Sequence, residues 1–277
     1  MLLVDGFNLL WASTFGFPVP IHSRDKTREL TGLFAFFALL RATIRDDLDV
    51  APPEVLVVFD GKHGSAERVA ADQEYKANRA ATPEALKPLQ FLAPVKDGLD
   101  AYGIRWTEVE NAEADDVIAT LTARAAASQP VLIMSRDMDF YQLLDDRVRI
   151  LNRSRKSFQR IITADEVIAR FGVTPTQWPA FRALTGDKSD NIPGVRGVGP
   201  KVAATLLRDG MLLHGLPGSG RLTGAKGTAI TTAWADVLRW EAMITVRRDL
   251  DLSLAPRGEA SPQLPKPADV VAKLGLW

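Results

Sequence analysis

The residues best suited to chemistry are acidic side chains that follow short apolar runs or stand close together. They fall into five groups: Asp5, Asp60, Glu113 with Asp115 and Asp116, Asp137 with Asp139, and Asp187 with Asp190. Neighbouring carboxylates repel one another unless a cation neutralises them. The chain has no cysteine and three histidines, so Mg²⁺ or Mn²⁺ suits these oxygens better than zinc. Two such ions about 4 Å apart would suit phosphodiester hydrolysis.

Each acidic group also has a structural alternative. An aspartate at a strand end can cap the following helix. Acids in a first helical turn interact with the helix dipole, which explains one or two acids near Glu113 but explains three poorly. Nine acids at such positions have no single structural cause, so we favour a shared metal-binding function.

The two later pairs have spacings that bring side chains to one side. If the backbone stays extended, Asp137 and Asp139 face the same way and can share one ion. Asp187 and Asp190 are three apart, as on one face of a helical turn. For both pairs a simple turn is the alternative.

Basic residues that could reach a phosphate occur in the motif Tyr75-Lys76-Ala-Asn-Arg79. Lys76 and Arg79 are three apart and share one face if the segment is helical. They could stabilise charge that develops on phosphoryl oxygens, while Tyr75 offers a ring on which a base can stack. An exposed basic helix is the alternative. A second basic run, from Arg147 to Arg160, could attract a phosphate backbone, and a solvated hairpin face is the alternative explanation.

A glycine-rich segment directly follows the last acidic pair and resembles the helix-hairpin-helix signature. Gly194, Gly197 and Gly199 allow a tight turn that directs amide N–H groups at a phosphate near a helix N-terminus. Pro200 suits the first helical turn, and Lys201 adds a positive charge. The segment therefore predicts a sequence-independent grip on duplex DNA, with a structural turn between helices as the alternative.

The elements that must position these residues alternate between strands and helices. Strand-like runs at Met1 to Val4, Val55 to Phe59 and Val131 to Met134 each lead into an aspartate. Helical patterns cover Glu29 to Arg45 and Ala114 to Ala127. This alternation predicts an α/β fold with a mainly parallel sheet, whose carboxyl edge collects ligands.

Three further regions complete the predicted organisation. Residues 61–94 are polar and form helices or a mobile excursion, while residues 163–254 are mainly helical. Within the latter, Gly215 to Gly227 is expected to be a loop. The tail, residues 255–277, is expected to be irregular with one last helix over Ala268 to Leu274.

Composition sets broad limits on the class of protein. The 277 residues are 46% hydrophobic and 25% charged with no net charge, as in an ordinary globular protein. The N-terminus lacks the pattern of a secretion signal, and the longest apolar stretch, Leu33 to Leu40, is too short to span a bilayer. We therefore expect a cytoplasmic protein without a membrane partner.

Taken in order, these motifs resemble those of the 5′–3′ exonuclease and flap endonuclease family, including the 5′ nuclease domain of bacterial DNA polymerase I. The resemblance runs from Met1 to about Leu252. It differs at Arg136 and Met138, where relatives usually have glycine and lysine around the two aspartates.

The resemblance implies a PIN-like core over residues 1–162, with a helical arch at about 61–94. It implies a helix-three-turn-helix (helix-hairpin-helix) module over residues 163–254. By the same resemblance all nine acids hold two or more Mg²⁺ or Mn²⁺ ions, and Lys76 and Arg79 are catalytic. The hairpin from Gly194 to Gly199 would contact duplex phosphates through a monovalent cation, often K⁺.

The expected function is that of a stand-alone, monomeric 5′–3′ exonuclease and flap endonuclease in replication or repair. Its expected partners are DNA with 5′ flaps, nicks, gaps or free 5′ ends, and RNA primers. One alternative is a catalytically weak protein that binds branched DNA. Another is a Mg²⁺-dependent phosphatase or sugar-nucleotide transferase using Asp137 and Asp139, which would leave the glycine hairpin without a role.

Overall fold

A computed structural model describes residues 1–48 and 53–277 of the chain. Its strands are β1 Leu2–Asp5, β2 Val55–Phe59, β3 Arg105–Glu108, β4 Val131–Met134, β5 Val148–Leu151 and β6 Ile161–Ile162. The α-helices in these ranges are α1 Gly6–Gly16, α2 Thr31–Asp46, α3 Ala66–Ala71, α4 Pro83–Leu86, α5 Leu92–Ala101, α6 Ala114–Ala126, α7 Ala164–Phe171, α8 Trp178–Thr185, α9 Pro200–Leu207, α10 Gly224–Thr232, α11 Trp234–Ile244 and α12 Pro267–Lys273.

The strands form one sheet in the order β3-β2-β1-β4-β5-β6. The first five are parallel, and β6 pairs with β5 in the antiparallel sense. The chain adds strands on one side of β1 and then crosses to β4 on the other side. Ligands of open parallel sheets collect at such a switch point, beyond the carboxyl ends of the strands. Here that is where β1 and β4 end.

Apolar side chains cover both faces of the sheet. Leu3 and Ile133 pack on one face against α6, in a cluster that continues into the C-terminal helices. Leu2 and Val4 pack on the other face against α1 and α2. Burial on both faces explains why β2 is an uninterrupted apolar run rather than an alternating one.

The predicted fold class, an α/β PIN-like core with a helical C-terminal module, is confirmed. The predicted runs for β2 and β4 match the observed strands residue for residue, and α6 ends one residue before the predicted limit. Strands β3, β5 and β6 are additional to the prediction.

One regional prediction needs correction. The predicted loop from Gly215 to Gly227 ends earlier, because α10 begins at Gly224 and buries Gly227 and Ile230. Between residues 61 and 94 helices are present as expected, but they are short: α3 and α4 have six and four residues, and a 3₁₀ helix over Lys87–Phe91 leads into α5.

The C-terminal tail returns to the core. The Arg41 guanidinium donates to the carbonyl oxygen of Leu264 at 2.6 Å, and Arg105 donates to that of Ala255 at 2.8 Å. Helix α12 then packs on α2 and α5, with Val270 fully buried. The predicted irregular stretch and last helix are both present. Within the described ranges, every helix is too short or too polar to cross a bilayer.

Candidate active site

The aspartates that end β1 and β2 each fix the start of a helix. Asp5 accepts hydrogen bonds from the backbone N–H of Asn8 at 3.0 Å and from the Ser135 hydroxyl at 2.8 Å. Asp60 accepts one from the backbone N–H of Ala114, in the first turn of α6, at 2.6 Å. The ends of β1, β2 and β4 and the start of α6 therefore meet at one edge of the sheet.

The aspartates after β4 do not lie on a continued strand. The backbone of Met138 is helical, and Asp139 begins a short 3₁₀ helix. The Asp137 carboxylate instead accepts a hydrogen bond from the backbone N–H of Asp139 at 2.9 Å. This contact is typical of a simple turn, the alternative given for this pair. The extended geometry predicted for this pair is wrong. One carboxylate oxygen of Asp139, Oδ1, is buried and has no protein partner within the described residues.

Electrostatic coupling ties this group together. Burial raises the pKa of Asp5 to about 7, and the nearby charges of Asp60 and Asp137 add to the rise against hydrogen bonds that lower it. Burial also raises the pKa of Asp115 and Asp139 well above the usual range, with Asp137 contributing to both. Each of these carboxylates makes ionisation of its neighbours less favourable, and a bound cation would remove this repulsion.

These side chains do not already form a ligand shell. In the described ranges no three acidic or histidine side chains converge closely enough to hold one metal ion. The donors nevertheless suit a divalent cation, because they are carboxylates that disfavour one another's ionisation and because Asp139 Oδ1 lacks a partner among residues 1–48 and 53–277.

The other two acids of the α6 motif lie in a different environment. Asp116 is fully buried and accepts five hydrogen bonds from Arg68 and Arg247. Glu113 accepts hydrogen bonds from Arg68 at 2.6 Å, from the Tyr75 hydroxyl at 3.0 Å and from Lys76 at 2.5 Å. Guanidinium groups therefore engage both oxygens of Asp116, and its expected metal-holding role stays a prediction.

The motif that carries Lys76 and Arg79 is a series of turns rather than a helix, and Lys76 has a positive φ of 57°. The prediction of one shared helical face is therefore wrong. Arg79 is 55% exposed and pairs with Asp190 at 3.0 Å. Tyr75 is 5% exposed and lies in the core cluster. The prediction that a base stacks on its ring is therefore not supported, because the ring is buried.

Asp187 and Asp190 lie in a tight turn and not on a helix. The backbone groups of Asp187 and Ile192 exchange two hydrogen bonds of 2.7 Å, which close this turn. The Asp187 carboxylate pairs with Arg182 and accepts a hydrogen bond from the Ser189 hydroxyl at 2.5 Å. The Lys76 backbone N–H donates to the Asp190 carbonyl at 3.1 Å. The turn therefore binds the motif that carries Lys76.

The glycine hairpin continues from this turn between α8 and α9. Gly194 and Gly197 have positive φ values of 67° and 84°. Gly199 precedes α9, Pro200 is its first residue, and Lys201 follows on the exposed surface. Gly197 and Gly199 are exposed too. This arrangement can present backbone and a lysine to a phosphate.

The basic run from Arg147 to Arg160 serves mainly local structure. Arg153 and Arg160 both pair with Asp47 at the end of α2. Arg155 pairs with Glu166 at 2.6 Å, and Arg147 donates to the carbonyl of Ala126, the last residue of α6, at 2.7 Å. These contacts favour the structural explanation of the run over binding of nucleic acid.

Family models match almost the whole chain. The N-terminal resolvase-like domain of the 5′–3′ exonucleases matches residues 1–172, and their C-terminal SAM-fold domain matches residues 173–264. The chain belongs to the 5′–3′ exonuclease family. The predicted membership of the 5′–3′ exonuclease family is thereby confirmed.

Individual relatives agree with this assignment. The thermostable DNA polymerase I of Thermus thermophilus is 40% identical over 76% of this chain and 24% of the polymerase. That of Thermus aquaticus is 37% identical over 92% of the chain and 29% of the polymerase. The chain thus spans 24% to 29% of these relatives' length.

Solved structures show the same fold. The flap endonuclease of bacteriophage T5, in a product-like complex with DNA and metal ions, matches with a TM-score of 0.69 and 20% identity. The match covers 99% of this chain and 93% of that one. The catalytic core of Rad2 in complex with DNA matches with a TM-score of 0.58 and 15% identity, over 100% of this chain and 87% of that one.

Sequence reasoning missed several residues that shape the site. Asn8 and Ser135 hold Asp5, and Arg68 and Arg247 hold Asp116. The local sequence around Ser135 gives a signal, because it directly follows a strand and precedes Asp137. For Arg68 no local signal exists, because its partners are 45 and 48 residues away.

Proposed function

We propose that the chain is a Mg²⁺- or Mn²⁺-dependent 5′ nuclease that hydrolyses DNA phosphodiesters as a 5′–3′ exonuclease and flap endonuclease. One observation carries the proposal. Five aspartates meet at the carboxyl edge of the sheet with pKa values raised by burial, and the basic residues Lys76 and Arg79 lie beside them.

The metal-holding residues in this proposal are the strand-end and α6 aspartates, namely Asp5, Asp60, Asp115, Asp137 and Asp139. Asp187 and Asp190 would contribute to a more distant position, and Glu113 would act through its contacts with Lys76 and Tyr75. When bound, a divalent ion would polarise a phosphoryl oxygen and lower the pKa of its water.

The chain's own residues orient the groups and supply positive charge. Asn8 and Ser135 fix both carboxylate oxygens of Asp5. Lys76 is close enough to Asp60 and Asp115 to lower their pKa values against the effect of burial. A phosphate at this edge would meet the Lys76 ammonium and the half-exposed Arg79 guanidinium, which stabilise charge on its oxygens.

The hairpin from Gly194 to Lys201 would hold duplex DNA through its phosphates, without reading bases. A bound K⁺ at its exposed backbone would extend this grip. Because the hairpin's preceding turn binds the motif that carries Lys76, DNA held there would be placed relative to the acidic edge. Action on flaps, nicks, gaps and RNA primers, as a monomer in the cytoplasm, remains part of the same prediction.

A cleavage assay tests the proposal. A 5′-flap DNA labelled at both ends should be cut with Mg²⁺ or Mn²⁺ and remain intact in EDTA, with a 5′-phosphate on the downstream product. Binding of branched DNA without cutting of flap, nicked or gapped duplex in either metal would instead support the catalytically weak binding protein.

A further inference from the structure

Arg68, on the short helix α3, contacts two separate parts of the molecule. Its Nη1 donates to Glu113 at 2.6 Å and to Asp116 at 2.9 Å. Its Nη2 donates to the other oxygen of Asp116 at 2.9 Å, and its Nε donates to the Met243 carbonyl at 2.8 Å. The side chain is 11% exposed. Arg68 therefore joins α3 to the start of α6 and to the last turn of α11.

Arg247 supplies the other hydrogen bonds to the Asp116 carboxylate. Its backbone N–H donates to one Asp116 oxygen at 2.9 Å, and its Nε and Nη2 donate to the other at 3.0 and 2.9 Å. Burial raises the pKa of Asp116, but the hydrogen bonds from Arg68 and Arg247 outweigh burial and leave it below the usual value. Asp116 is thus a charged anchor between two guanidinium groups.

Glu113 transmits this anchoring to the candidate active site. One of its oxygens accepts from Arg68 and Tyr75, and the other accepts from Lys76. Lys76 is 15% exposed, so its ammonium is held at the acidic edge rather than moving freely in solvent. The path from Arg68 to Lys76 consists of two hydrogen bonds that share one carboxylate.

We propose that Arg68 is a positioning residue: through Glu113, and anchored by Asp116, it sets the place of the Lys76 ammonium. This inference rests on the proposed nuclease function for its kinetic consequence but not for its structural one. It gives Asp116 the role of an anchor for Arg68.

The geometry requires arginine at this position. Two parallel N–H groups of Arg68 meet both oxygens of Asp116, while a third donor group remains for Met243. A lysine carries the same charge but cannot form this planar fork. Arg68→Lys should therefore keep the fold and retain part of the placement of the Lys76 ammonium. Arg68→Gln should lose both the positive charge and the two-pronged contact with Asp116.

A purely structural role, in which Arg68 only pins α3 to α11, has a matched control. Arg239, on α11, pairs with Asp72 at the end of α3 at 3.3 Å and is 41% exposed. Arg239→Ala removes a contact between the same two helices without touching Glu113 or Asp116. If pinning were all that mattered, the Arg239 and Arg68 variants would behave alike.

The first measurement does not depend on activity. Modification of Lys76 by an amine-reactive ester, followed by peptide mass spectrometry in EDTA, reports how freely its ammonium is presented. We expect at least about threefold faster modification in Arg68→Gln than in the parent or in Arg239→Ala. Equal rates in all three proteins would overturn the inference, provided that circular dichroism shows each to be folded. If Arg68→Gln does not fold, Arg68→Lys takes its place, with a smaller increase expected.

The second measurement separates positioning from binding. On saturating 5′-flap DNA with Mg²⁺, Arg68→Gln should lower kcat by about 100-fold, the typical cost of a misplaced group, with KM changed by less than about threefold. Arg239→Ala should retain the parent kcat. A rise in KM without loss of kcat would contradict the inference. If the parent protein cuts nothing, the proposed nuclease function fails, and the modification rate of Lys76 alone decides the positioning role.

Discussion

Asp60 and Ala114 join two elements that are far apart in sequence: the Asp60 carboxylate accepts the Ala114 backbone N–H at 2.6 Å. This hydrogen bond ties the end of β2 to the start of α6 and brings Asp115 to the edge where β1 and β4 end. The aspartates at that edge consequently act on one another electrostatically, although they come from distant parts of the chain.

Replacing Asp115 by Asn should abolish most of the cleavage of a 5′-flap DNA. Asp115 is the acid in the first turn of α6 whose pKa is raised by burial and by Asp137 and Asp5, which places it at the centre of the charged group. Removing a metal ligand costs several kcal/mol of transition-state stabilisation, so the rate should fall by about 100-fold or more. Single-turnover cleavage rates check this.

The matched control for Asp115→Asn is Asp165→Asn, which changes an exposed acid in the first turn of α7. It should leave cleavage unchanged. DNA binding in EDTA should be similar in both variants, because the glycine hairpin is intact. Near-parental cleavage by Asp115→Asn would show that Asp115 is not a principal ligand.

Replacing Asp5 by Asn should stabilise the metal-free protein, increasingly so at higher pH. Burial raises the folded-state pKa of Asp5 to about 7 from a usual value of 3.8. A folded state that binds the proton more tightly is most favoured below pH 3.8 and loses this advantage as pH rises through 7. The neutral Asn avoids that loss and can still cap α1 through Asn8.

Melting temperatures in EDTA between pH 4 and pH 8 test this effect. The melting temperature of Asp5→Asn minus that of the parent should grow by about 10 °C across this range, since a rise in pKa from 3.8 to about 7 corresponds to about 4 kcal/mol, and 1 kcal/mol to roughly 2–4 °C in a protein of this size. A difference that stays constant with pH would mean that the Asp5 carboxylate ionises normally in the folded protein.

The parts of the fold that could be predicted are those with a strong local signal. Strands β2 and β4 are continuous apolar runs followed within three residues by an aspartate, and α6 has helical spacing of its apolar residues, so the acidic edge could be predicted directly. Strand β3 lacks such a signal, because its residues, Arg105–Glu108, lie at the sheet edge and are only partly buried.

The roles of individual polar residues were harder to predict, because they depend on distant partners. Asp116 and Asp115 are adjacent in sequence, yet Asp116 binds two arginines from elsewhere while Asp115 joins the acidic edge. Burial of Tyr75 likewise results from packing against the core cluster and from its bond to Glu113. Charge and spacing along the chain cannot distinguish these cases.

Replacing Lys201 by Ala should weaken binding to duplex DNA equally on unrelated sequences. Lys201 is exposed in the first turn of α9, directly after the glycine hairpin. Because the alanine cannot neutralise a phosphate, the slope of log affinity against log salt should fall by about one. The exposed Lys266 in the tail provides a control, and Lys266→Ala should leave both quantities unchanged. Weaker binding confined to particular sequences would contradict a backbone-directed grip.

Replacing Gly194 by Ala should destabilise the hairpin more than replacing Gly197 by Ala. Both glycines have positive φ values, so each substitution carries the conformational cost of about 1 kcal/mol that an alanine has in this region. They differ in the space around them: a Cβ on Gly194 would lie 2.4 Å from the backbone nitrogen of Gly186, whereas no neighbouring atom of the described residues lies within 4 Å of a Cβ on Gly197. Only the first substitution must also displace backbone.

Urea unfolding of the two variants measures this difference. We expect Gly197→Ala to lose about 1 kcal/mol and Gly194→Ala to lose at least about twice as much, since strain and overpacking add.

Because Gly186 immediately precedes Asp187, displacing its backbone should also move the turn that binds the motif of Lys76. Gly194→Ala should therefore reduce the flap cleavage rate at saturating DNA, while Gly197→Ala should act mainly on DNA affinity. Equal stability losses in the two variants would show that the backbone at Gly186 can move away from the new Cβ without a loss of folding free energy.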